Sequence, residues 1–201
     1  MKIIRTKRAE MLTHQALYAT GKDFCRIFER DMDRLHRLSL LLTADPELAE
    51  KCFVRGLEDS KGGNPVFKEW AESWARRVII VNAVRMIGPR PGIASAFDRS
   101  RAGKPINGLP DELAAVVNLP AFERFVFVMS VLEGYPARDC RLLLNCSNFD
   151  VAEARAQALQ RLGGSAEVAR RAASALASQS NSRDRDMGSR NGFIAHLAVS
   201  A

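Results

Sequence analysis

The sequence predicts an all-α protein made of two small helical domains joined by a flexible linker, the C-terminal one a helix-turn-helix. Three observations predict it. Apolar residues recur at three- and four-residue steps over long stretches, no alternating stretch is long enough for a sheet, and a Gly- and Pro-rich segment interrupts the periodicity midway. The boundaries that follow are 1–87 for the first domain, 88–110 for the linker, 111–162 for the second domain, and 163–201 for a low-complexity tail expected to be disordered or docked only on a partner.

In the first domain, Phe24, Ile27, Phe28, Met32, Leu35, Leu38 and Leu42 predict one amphipathic helix from Lys22 to about Thr43. Asp45 followed by Pro46 reads as an N-cap with proline at the first helical position, opening a second helix through roughly Leu57. Gly62, Gly63, Asn64 and Pro65 break the chain. A third helix is expected from about Val66 to Ile87 on the spacing of Phe67, Trp70, Trp74, Val78, Val81 and Val84.

From Gly88 to Gly108 the chain is rich in Gly, Pro, Ser and basic residues, as an exposed linker would be. Periodicity resumes near Asp111 and is strongest from Pro120 to Leu132, where Phe122, Phe125, Val126 and Met129 share a face. Two short helices follow, Pro136 to about Leu144 and about Phe149 to Leu162. A tight turn at Asn145–Asn148 joins them, Asn145 standing where a residue tolerant of positive φ is needed and Asp150 reading as an N-cap.

Lys and Arg number 30 against 23 Asp and Glu, a formal charge of +7, which suits an anionic partner such as nucleic acid and equally suits simple solubility. The basic start lacks the apolar stretch of a secretory signal, and no run approaches a membrane span, so the default expectation is a cytoplasmic protein with no membrane partner. Cys25, Cys52, Cys140 and Cys146 form no close pair and the three His residues complete no zinc site, so reduced packing cysteines, no metal and no cofactor are expected. Phosphate loops, zinc-protease motifs and nucleophile elbows are missing, so the chain is not expected to be an enzyme.

One arrangement is more specific. Leu119, Pro120, Glu123, Arg124, Val126, Phe127, Glu133, Gly134, Leu144, Ser147, Val151, Ala158 and Leu162 fall in an order that resembles region four of the group-IV (extracytoplasmic-function-type) RNA polymerase sigma factors. More faintly, the opening helix from Phe24, the DPELAE of residues 45–50, and Phe67, Trp70, Ala75 and Arg76 are similar to region two of that family. The resemblance covers about residues 22 to 162. It implies a transcription-initiation protein whose partners are core RNA polymerase and promoter DNA, with an anti-sigma protein as a further one.

That resemblance directs attention to particular side chains. Polymerase contact would fall on Glu47, Glu50, Lys51, Val54 and Arg55. DNA contact in the first domain would fall on Trp70, Trp74, Arg76, Arg77, Asn82 and Arg85, because single strands bind by stacking on aromatics beside cations; at least one of the two tryptophans is equally suited to the core. In the second domain Ser147, Asn148, Glu153 and Gln157 would reach base edges, with Arg138 and Arg155 on phosphates. Where the family is acidic after the Ala-Glu pair, this chain has Lys51 to Arg55, and where the family is basic in the recognition helix it has Ala152, Glu153 and Ala154. These departures motivate two alternatives: a sigma-like interaction protein that binds another regulator, and a helix-turn-helix regulator using only the C-terminal domain.

Overall fold

Residues 17–63, 65–92 and 109–163 are described by the computed structural model; residues 1–16, residues 93–108 of the expected 88–110 linker and the tail from 164 lie outside them. The fold is all-α, with no strand among the described residues, where a single bridge pairs Tyr18 with Phe67. No helix among them is long and apolar enough to cross a membrane.

Helix α1, Gly21–Arg30, is opened by a capping box in which Thr20 and Asp23 satisfy each other's backbone N–H groups. The single helix expected from Lys22 to Thr43 is broken at Asp31, beyond which α2 runs Met32–Thr43. Arg30 holds the break: its guanidinium donates to Asp31 at 2.7 Å and, across the bundle, to Glu72 at 2.8 Å. Ala44 in the left-handed region ends α2, and α3, Pro46–Gly62, starts with Asp45 accepting from Leu48 N–H, as the Asp-Pro pair predicts.

The next helix starts later than its apolar spacing suggests. Ala19 N–H donates to the Val66 carbonyl, holding Val66 and Phe67 extended, so a 3₁₀ turn, Lys68–Trp70, precedes α4, Ala71–Ile87. Helices α3 and α4 approach closely at Gly56, where an added Cβ would lie 2.5 Å from Ile79 Cδ1.

In the second half, α5 (Asp111–Val117) leads to α6 (Ala121–Phe127), which widens into a π turn, Val128–Leu132. Helix α7, Ala137–Leu144, ends at Asn145 with φ 50°, the left-handed position expected there. Helix α8, Asn148–Arg161, is capped by Ser147, not by Asp150. Asp150 is the third residue of a capping box: its carboxylate accepts from the Ser147 N–H and hydroxyl, which hold it below the usual aspartate range.

One apolar cluster runs through both halves, from Phe28, Leu35 and Ile79 to Phe125, Met129 and Val151. Helix α2 packs on α5 and α6, and α4 meets α7. At the junction the Arg124 side chain is sunk in the core, the residue 2% exposed, donating to the carbonyls of Leu119 at 2.7 Å, Leu42 at 3.3 Å and Val117 at 3.4 Å. Cys52 and Cys140 are buried as packing groups, their thiols pushed up to about 11, chiefly by burial.

Three substitutions test this packing. Phe125→Ala should cost roughly 3–5 kcal/mol through lost burial and a residual cavity. Arg124→Ala should cost about as much, because three buried carbonyls lose their donor, and Arg124→Lys less. Denaturant titration of the full chain measures all three, and a loss under about 1 kcal/mol for Arg124→Ala would show that the carbonyls find other donors.

Candidate nucleic-acid interface

The aromatic and cationic residues of the first half gather at the start of α4, against the loop that follows the π turn. A cleft of about 570 Å³ lies there, walled by Phe67, Trp70, Trp74, Arg76 and Arg77 on one side and Glu133, Tyr135, Pro136 and Asp139 on the other. Trp70 is 57% exposed and edge-on to Phe67 at 5.3 Å, and Phe67 stacks on Tyr18 at 4.7 Å. Trp74 is half-buried, its indole N–H shut off from solvent and meeting no acceptor among the described residues. A donor left so costs about 1–3 kcal/mol.

Two of the three arginines expected at DNA in this half are in ion pairs. Arg76 pairs with Glu133 at 3.5 Å and Arg85 with Asp59 at 3.5 Å. Asn82 is not a surface group: it is buried, its amide donating to Asp59 and to the Val78 carbonyl, which removes it from a DNA-facing set. Sequence reasoning missed Tyr135 and Asp139 as cleft residues, since nothing local ties them to a segment 60 positions earlier.

A second surface is formed by α7 and α8. Val151, Ala154 and Ala158 face the core, while Ser147, Asn148, Glu153, Arg155 and Gln157 are exposed, as is Arg138 on α7. Gln157 donates to Glu153 at 3.2 Å, joining a donor and an acceptor on adjacent turns. Arg161 pairs with the buried Glu123 at 2.8 Å, fastening the end of α8 to α6. Phe149, which sequence reasoning passed over, is 72% exposed at the second position of α8. On α3, Glu47, Glu50, Lys51 and Arg55 are exposed and Val54 half-buried, with Glu47 and Lys51 4.0 Å apart.

Burial pushes the Glu133 carboxyl above its ordinary 4.5, against the pull of Arg34 and Arg76, and burial pushes Glu123 the same way against Arg161. Each folded-state carboxyl therefore takes up its proton at a higher pH than in the unfolded chain. Their contribution to stability is lowest at neutral pH, rises as pH falls through the folded values, and levels off below the ordinary glutamate range. Glu133→Gln is expected to shrink that rise, and the double variant with Glu123→Gln to abolish it, in denaturant titrations from pH 7 to 4.5. A rise of undiminished size would place its origin in other groups. Comparison with known proteins gives no match to this chain: no family model, no curated protein and no solved structure.

Proposed function

We propose that the chain is a divergent sigma-factor-like transcription-initiation protein that binds core RNA polymerase through α3 and promoter DNA through α7, α8 and the aromatic cleft. The observation that carries this reading is the α7–α8 pair. It turns at the left-handed Asn145, is stiffened by the Ser147–Asp150 capping box, rests on α6, and keeps Asn148, Glu153, Arg155 and Gln157 exposed on one helix. That is the arrangement a helix-turn-helix needs to lay one helix in the major groove while its neighbour crosses the backbone. There Asn148 and Gln157 suit adenine, and Glu153 suits the amino group of cytosine.

A second reading, a sigma-like protein that binds another regulator, is favoured by the cleft. Its walls carry Glu133 and Asp139 beside Arg76 and Arg77, so its charges balance and a phosphate backbone gains little there.

One experiment separates the two. The purified full chain should co-elute with core RNA polymerase and direct run-off transcription from a pool of upstream genomic fragments. Absence of both activities, with the chain folded, would overturn the first reading, and binding to DNA fragments without polymerase would then separate a helix-turn-helix regulator from the second reading. If α7 and α8 grip phosphate, Arg138→Ala and Arg155→Ala should weaken duplex binding alike across sequences. Each should flatten the log–log salt dependence by about 0.9 for every phosphate no longer neutralised.

A further inference from the structure

We propose that Phe149 is a specificity-determining residue that contacts the methyl group of a thymine in the major groove, so that the outward face of α8 selects an A·T-containing element. This rests on the reading of α7 and α8 as a helix-turn-helix and names the base chemistry of that site.

With Val151, Ala154 and Ala158 turned to the core, the opposite side of α8 is set by helical geometry. Phe149, Ala152, Glu153, Ala156 and Gln160, at steps of three and four, form the outermost stripe, and all are exposed. It carries a single charge.

Ala152 and Ala156 are too short to hold the helix away from a groove floor, which lets the larger Phe149 side chain at the N-terminal end reach furthest. In this docking mode the N-terminal residues are the ones that meet base edges. The capping box fixes the backbone of that first turn, so the Cα–Cβ direction of Phe149 is set before DNA arrives.

At 72% exposure Phe149 surpasses every other large apolar side chain among the described residues. A phenyl ring gains by leaving water, and the apolar group a major groove offers is the thymine methyl. The amide of Gln160 on the same stripe suits adenine. Exposed Arg138 and Arg155 supply the positive charge that complements the flanking phosphates. A protein pocket would also accept a phenyl ring, but protein-binding faces are built on clusters of large anchors, and on this stripe Phe149 stands among alanines and polar groups.

The test uses the full chain, as wild type, Phe149→Ala and Phe149→Leu, each checked for an unchanged melt. A duplex pool of random sequence is enriched on the wild type, and the recovered element is resynthesised with uracil replacing each thymine in turn. One replacement is expected to weaken wild-type binding about fourfold, the worth of one methyl group leaving water. It should leave Phe149→Ala unaffected and Phe149→Leu partly sensitive.

Equal sensitivity of wild type and Phe149→Ala overturns the assignment, as does a wild type indifferent to every replacement. A Phe149→Ala chain that keeps its thymine dependence but no longer co-elutes with core polymerase places the ring on protein. Enrichment of no sequence by the wild type sinks the DNA-reading proposal itself, which is a different outcome from selective binding that ignores the methyl.

Discussion

A guanidinium inside an apolar core is tolerable only where oxygens are aimed at it, and at Arg124 those oxygens come from the end of α2 and from the segment that joins α5 to α6. Leu42 lies in the last turn of α2, Val117 ends α5, and Leu119 precedes α6. The Leu42 and Val117 carbonyls stand at C-terminal helix ends, where intrahelical partners run out and the dipole is negative, so a cation there answers both needs at once. The registration of α6 on α2 follows, and with it the continuity of the core between the halves. Replacing the cation with an apolar side chain would fill the space and still leave the carbonyls unanswered.

From that fixed start, α6 carries its apolar side inward through Phe127 and then changes pitch. The π turn at Val128–Leu132 ends with Glu133 N–H donating to the Val128 carbonyl five residues back, and the chain leaves with Glu133 beside Arg76. Arg124 and Glu133 are thus two ties across one junction, a cation deep in the core and a carboxylate at its rim. The aromatic cleft exists because the rim tie brings Tyr135 and Asp139 opposite Trp70 and Trp74. An arginine that would otherwise offer its charge to an anionic ligand is neutralised by the contact that shapes the cavity.

Features decided by neighbouring residues were legible in the sequence: the Asp45–Pro46 helix start, the left-handed Asn145, and the burial of Phe122, Phe125, Val126 and Met129. Features decided across the fold were not. The Arg30–Glu72 pair beside the break at Asp31, the Ala19 bond before the late start of α4, and the Asp59 partner of Asn82 all join residues distant in sequence. Periodicity placed Glu123 and Arg124 on a helix but could not say that both would be buried, because a charge is admitted to a core only by partners distant in sequence. At the candidate site the same rule divides the residues. Exposure of Asn148, Glu153 and Gln157 follows from their register on one helix, whereas the pairing of Arg76 and Arg85 depends on carboxylates elsewhere in the sequence.

The placement of charge bears on how a DNA complex would form. The described residues carry as many Lys and Arg as Asp and Glu, so the formal +7 of the chain belongs to the sequence of 1–16, 93–108 and 164–201. Long-range attraction to a polyanion scales with net charge and is screened within about 10 Å at ordinary salt, so the described residues contribute little to encounter. Their outward surfaces are suited to discrimination: an uncharged stripe broken by one glutamate on α8, and a charge-balanced aromatic cleft at the junction. Discrimination is a difference between partners, and a surface with little general affinity for phosphate leaves that difference unmasked. If α8 reads DNA as proposed, its acidic residue and few cations fit selective binding with attraction supplied by other parts of the chain.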